Sequence, residues 1–350
     1  MTSDDGDIRF ERRGRIGLAT LSRPSALNAL THDMVRALRG RLDDWADDPA
    51  VAAVVVAAVP GRAFCAGGDI RQVYGMGRSG GPRRNAFFRD EYRMNALIAR
   101  YPKPYFAIVD GLCMGGGVGI SAHGSHRVAT ERLGFAMPEV GIGFFPDVGG
   151  TYLLSRMPSE IGVYLALTGG AIGLADACLA GFVTHPVAAA TVPALLERLA
   201  ETGDPDTALA GATVDAGAAP LAPRREMIAR VFGADTVGEV LARLDAERGE
   251  HGEFAARTAA TIRTRSPTSL AVTLEALRRA RRAGFAECMV TEYRMLCRIL
   301  DGHDFYEGVR AAVVDKDRRP QWRPAALEEV ASADVEAHFR TPAEGDIVLD

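Results

Sequence analysis

The nine residues Val51 to Val59, VAAVVVAAV, are apolar without a break. A strand with one wet face alternates polar and apolar residues, whereas one that is apolar throughout is covered on both faces, as in a parallel sheet flanked by helices. The preceding residues agree. Ile8 to Arg12 and Ile16 to Leu21 read as a hairpin across Arg13-Gly14-Arg15. Thr31 then stands as a helix cap before Met34, Val35, Leu38, Leu42 and Trp45, apolar at three-and-four spacing. Strand, helix and buried strand in succession predict an α/β fold.

In such folds ligands sit beyond the carboxyl ends of the strands. Two glycine turns fall there: Gly67-Gly68 in AFCAGGDI, and Gly115-Gly116-Gly117 after the apolar run Tyr105 to Val109. Each can turn a backbone N–H toward a ligand, and two such donors on one oxygen form an oxyanion hole. Glu139 and Asp147 follow among Phe135, Met137, Pro138, Ile142, Phe144, Phe145 and Pro146. Desolvation there raises a carboxylate's pKa and makes it a usable base or nucleophile near neutrality. Gly117-Val118-Gly119-Ile120-Ser121-Ala122 also fits a dinucleotide fingerprint. The next strand-like piece, Arg127 to Thr130, comes too soon for the βαβ unit that fingerprint needs. Plain tight turns with solvated acids explain either loop alone better than they explain the pair.

A formal net charge of −4 gives no nucleic-acid footprint. The basic cluster Arg278, Arg279, Arg281 and Arg282 reads as a solvated helix face. Five cysteines without metal spacing, and no apolar run of about 18 residues, predict a reduced cytoplasmic protein with no membrane partner and no metal. The start of the chain is too acidic for a transit peptide. His123 and His126 read as structural. Residues 75–84 read as a mobile loop, followed by a helix from Phe87 to Arg100 on which Glu91, from pattern alone, is a surface acid near the helix start. The chain becomes alanine- and glycine-rich from Asp204 to Gly217, which sets a boundary between residues 1–203 and a mainly helical region, residues 204–350. In that region Glu292, His303, Asp304 and Arg310 read as helix caps and ion-pair members.

The motifs AFCAGGDI, MGGGVG and FAMPEVGIGFFPDVGGTYLL, in this order, resemble the crotonase (enoyl-CoA hydratase/isomerase) superfamily. Within it, FFRDEYRMN, SPTSL, TEYRM and GHDFYEGVRAAVVDKDRRPQW are most similar to the 3-hydroxyisobutyryl-CoA hydrolases, and the resemblance runs over nearly the whole chain. It implies a crotonase-like spiral of repeated ββα units with a helical C-terminal region, packed as a homo-oligomer, trimer or hexamer. The implied substrate is an acyl-CoA thioester, with no cofactor because coenzyme A is part of the substrate. Carried over by motif, the oxyanion donors are the N–H groups of Gly68 and Gly116, the active-site carboxylates are Glu139 and Asp147, and Glu91 contacts substrate. The adenine end of CoA is expected near Ala63 to Ala66.

One departure is informative. Hydratases of this family carry a glutamate three residues after the middle glycine, and here that position is Gly119. Loss of a positioned acid or base costs about 10² to 10⁴ in rate. The expected reaction is therefore thioester hydrolysis, by attack of Glu139 on the carbonyl or by its activation of water. The alternatives are an enoyl-CoA hydratase or isomerase that uses Asp147 as its second acid/base group, and an acyl-CoA-binding protein without turnover.

Overall fold

A computed structural model describes residues 3–79 and 85–349. Strands β1 (Ser3–Asp5), β2 (Ile8–Arg13), β3 (Ile16–Leu21), β4 (Ala53–Ala58), β6 (Tyr105–Val109), β8 (His126–Ala129) and β10 (His185–Pro186) form one sheet in that spatial order. The remaining strands, β5 (Ala63–Cys65), β7 (Leu112–Met114) and β9 (Gly134–Ala136), form a second, parallel sheet. After the β2–β3 hairpin the large sheet is parallel as well. Each of β4, β6 and β8 thus hands the chain to a short strand of the other sheet before it returns. This is the winding of ββα units that the resemblance implies.

The unbroken apolar run has two destinations. Val54 and Val56 enter the main interior, while Ala53, Val55 and Ala57 face a separate cluster with Phe106, Ile108, Val128 and Leu195 and Leu199 of the helix Val192–Thr202. Both faces of β4 are covered, which is why no polar residue interrupts it. Helix α1 (His32–Asp47) starts where Thr31 Oγ1 accepts from the Met34 amide at 3.2 Å, and its five apolar positions are all buried.

Helix α2 (Ile70–Ser79) occupies part of the stretch expected to be a loop. Ile70, Val73 and Tyr74 pack on the core at helical spacing, and Arg71 holds the Val313 carbonyl at 2.9 Å. Residues 80–84 of that expected loop lie outside the described residues. Helix α3 (Ala86–Ala99) follows. Beyond residue 203, Met227, Ile228, Leu270, Leu274, Tyr293 and Leu296 join the same interior cluster as the spiral.

Candidate active site

The two glycine turns meet. Gly67 has φ +116°, open in practice to glycine alone. Leu30 pairs with this loop through the Gly67 carbonyl and the Asp69 amide, each at 2.8 Å, and so steps over the Gly68 N–H. The triplet opens a four-residue helix, α4 (Gly116–Gly119). As the first residue of α4, Gly116 has no helical acceptor for its N–H. A Cβ on Gly117 would come within 2.2 Å of the Cys65 carbonyl oxygen, and one on Gly116 within 3.2 Å of the Gly68 nitrogen. Only bare backbone allows this approach, and it sets the Gly68 and Gly116 amides side by side.

Three carboxyl groups surround these turns. Glu91, on α3, is 2% exposed and not a surface acid; it faces inward because α3 buries that side against α4. Its Oε1 lies 2.6 Å from the place a Gly116 Cβ would take. Glu139 begins a short 3-10 turn (Glu139–Ile142) after Pro138, is 7% exposed, and sets its Oε1 3.2 Å from a Cβ position on Gly115. Burial, and then the neighbouring Asp147, hold both glutamates well above the usual carboxylate range. Asp147 is pushed by burial up to about 7, opposed by the Tyr92 hydroxyl, which donates to its Oδ2 at 2.9 Å.

Asp147 sits in a braced turn. Val148 after it has φ +54°, a strained conformation for a β-branched residue. His123 donates through Nε2 to the Val148 carbonyl at 2.7 Å, and burial lowers its pKa to about 4, so the ring stays neutral. Glu292 accepts from the Gly149 amide at 2.8 Å, the Thr151 amide at 3.0 Å and the Thr151 hydroxyl at 2.5 Å. It thereby caps helix α5 (Gly150–Leu154) from a distant helix, Phe285–Leu300. Asp304 accepts from Ser266 Oγ at 2.6 Å and the Arg323 amide at 2.8 Å, and Arg310 pairs with Glu307, Asp315 and Asp317. His303 bonds the Gln321 carbonyl at 2.9 Å.

Ala63 opens β5 and Ala66 follows its last residue. The Ala63 carbonyl accepts from Asn28 Nδ2 at 2.9 Å, and the Ala66 amide donates to the Leu27 carbonyl at 3.0 Å. The arginine cluster is not a plain solvated face: Arg278 and Arg281 both reach Glu160, Arg279 reaches Glu275 and Glu336, and all four line a cavity of about 660 Å³. The Glu160 and Glu336 contacts come from segments far away in the chain, which helical spacing alone does not reveal, whereas Glu275 lies one turn back on the same helix.

Two further residues of the site stand in the FFRDEYRMN stretch without a role read from the sequence. Tyr92 holds Asp147, and Asn95 is 0% exposed, with neither Oδ1 nor Nδ2 partnered among the described residues. Both stand on α3 with Glu91, at the next position and one turn on. Once Glu91 is seen to point inward, that spacing brings Asn95 to the same face.

Among the described residues no helix is long and apolar enough to cross a membrane. The family model described as enoyl-CoA hydratase/isomerase matches residues 16–339. The chain is 40% identical to "3-hydroxyisobutyryl-CoA hydrolase, mitochondrial" of Xenopus tropicalis, over 99% of this chain and 92% of that protein. It is 37% identical to the protein of the same name from Homo sapiens, over 97% and 90%. Among solved structures, a carnitinyl-CoA dehydratase from Mycobacterium thermoresistibile superposes with TM-score 0.93 at 44% identity, covering 99% of each chain. An enoyl-CoA hydratase from Rhodobacter sphaeroides 2.4.1 gives 0.90 at 40%, covering 98% of this chain and 100% of that one. With a family match over most of its length and whole-chain relatives at this identity, the chain belongs to the enoyl-CoA hydratase/isomerase family and has the crotonase fold.

Proposed function

We propose that this protein hydrolyses a short-chain acyl-CoA thioester, 3-hydroxyisobutyryl-CoA, to 3-hydroxyisobutyrate and free CoA, a step of valine degradation. The thioester oxygen takes the Gly68 and Gly116 N–H groups, each contributing about 3 to 4 kcal/mol to the transition state. Glu139, beside Gly115, serves the carbonyl carbon either as nucleophile or as the base for water. Both routes end alike: the C–S bond breaks, the acyl carbon gains an oxygen from water, and CoA leaves as the thiol. Ionised Asp147 accepts a hydrogen bond from the substrate's β-hydroxyl, with Glu91 beside Gly116. Ala63 and Ala66 border the path of the CoA moiety.

The observation that carries this reading is at Gly119. A Cβ there would stand 2.8 Å from Asn95 Nδ2 and 2.8 Å from Val148 Cβ, so the position where hydratases hold a glutamate has no room for a side chain. Relatives named as hydrolases along the whole chain support it further. The second reading, hydration or dehydration of an enoyl-CoA, draws on the names of the two solved structures and on an Asp147 whose pKa near 7 suits acid/base work. The deciding experiment measures thiol release from 3-hydroxyisobutyryl-CoA against loss of enoyl absorbance with crotonyl-CoA. Hydrolysis should exceed hydration by at least about a hundredfold; the reverse order promotes the hydratase reading.

We further propose a cytoplasmic setting, which the ordinary thiol content supports: the five cysteines form no disulfide among the described residues. The curated relatives carry "mitochondrial" in their names, and localisation of a tagged chain tests the point.

A further inference from the structure

We propose that Asn95 is a specificity-determining residue of this site, donating from Nδ2 to a hydroxyl oxygen on the carbon β to the thioester carbonyl. This rests on the hydrolase reading above. Asn95 is fully buried, and among the described residues both polar atoms of its amide lack a partner. Buried polar groups nearly always find a partner, so an amide left with two unmet atoms beside the glycine turns and the buried carboxylates points to a ligand.

Its placement says which part of the ligand. Helices α3 and α4 meet in two rungs. Glu91 Oε1 stands 2.6 Å from a Cβ position on Gly116, and one turn further Asn95 Nδ2 stands 2.8 Å from a Cβ position on Gly119. Gly116 and Gly119 are three residues apart on α4, a rise of about 4.5 Å. In a 3-hydroxyacyl thioester the carbonyl and hydroxyl oxygens are separated by four bonds, a span of the same order. With the carbonyl at the Gly116 amide, the hydroxyl reaches the Gly119 rung beside Asn95.

The chemistry of the neighbours leaves one role open. A hydroxyl has one proton to give and lone pairs to be filled. Ionised Asp147 can only accept, and Glu91 stands at the Gly116 rung, one turn from Asn95. The Tyr92 proton is already given to Asp147. At the Gly119 rung Asn95 Nδ2 is a donor whose protons are uncommitted among the described residues, so it supplies the bond that ionised Asp147 cannot. An acyl chain without the hydroxyl leaves this amide unmet, which adds to discrimination against it.

The test compares kcat/KM for thiol release from 3-hydroxyisobutyryl-CoA and isobutyryl-CoA in the wild type, Asn95→Leu and Asn95→Ala. Leucine keeps the shape without polar atoms, and alanine guards against misfit of the branched chain. The wild type should favour the hydroxylated thioester, and the variants should narrow that preference by at least about tenfold, chiefly by a higher KM for the hydroxylated substrate. The melting temperature of ligand-free Asn95→Leu should not fall, because among the described residues the Asn95 side chain has no hydrogen bond to lose. Equal losses on both substrates, or a variant too unstable to assay in both forms, would make Asn95 structural and overturn the proposal. A wild type that releases no thiol or shows no preference contradicts the hydrolase reading itself, before any variant is compared.

Discussion

The Tyr92 hydroxyl donates to Asp147 Oδ2 at 2.9 Å, joining helix α3 to the turn before α5, and it opposes the burial that raises Asp147 to about 7. Tyr92→Phe removes the donor and keeps the ring, so the Asp147 pKa rises further. Since Asp147 works ionised, the rising limb of the kcat/KM profile should move to higher pH. Activity at pH 7 should drop several-fold and recover on the alkaline side. An unshifted limb would dissociate Asp147 from the ionisation that governs the rate.

The same burial makes the fold less stable as pH rises. Asp147 and Glu292 are raised to about 7 and about 8, and Glu91 and Glu139 are raised as well. In the unfolded chain these groups are already ionised above pH 6.5, so the native state holds more protons and stability falls as pH increases from 6.5 to 8. His123, His126, His185 and His338 have lowered values and act in the opposite sense, but their window lies below the ordinary histidine value of 6.5. Thermal melts at pH 6.5 and 8 should show the lower melting temperature at pH 8. Glu139→Gln should flatten the slope.

Gly119→Ala should destabilise the protein by about 1 to 3 kcal/mol, the range for an overfilled core position. The new Cβ would meet the Val148 β-carbon and the Asn95 amide at 2.8 Å, and both belong to packed elements. Gly119→Glu should lose hydrolysis without gaining hydration of crotonyl-CoA, because the added carboxylate finds no cavity in which to be oriented. An unchanged melting temperature in the alanine variant would show that the α3–α4 contact yields.

The fold was legible where pattern and burial coincide. Val51 to Val59 is apolar because both faces of β4 are covered, and the α1 cap and stripe fall at Thr31, Met34 and Leu38 as spacing predicts. The three short strands β5, β7 and β9 were not, since three residues are too few to show a period. In the site, the glycine turns and the acids Glu139 and Asp147 stand out because glycine triplets and carboxylates in apolar surroundings are locally unusual. Glu91 on pattern alone suggested the surface. Its burial depends on Gly116 and Gly119, which carry no side chain and let α3 approach, a long-range contact that periodicity cannot encode. The brace on Asp147 from His123 and Glu292 is likewise a matter of distant segments brought together.

The most direct test of the account is thiol release from 3-hydroxyisobutyryl-CoA by Glu139→Gln. The substitution preserves shape and removes the ionisable group whose Oε2 is buried and, among the described residues, unpartnered beside the paired Gly68 and Gly116 turns. The account predicts a folded protein that still binds the CoA thioester and turns it over at least about a hundredfold more slowly than the wild type. Turnover within a fewfold of wild type would contradict it and move the hydrolytic carboxylate elsewhere.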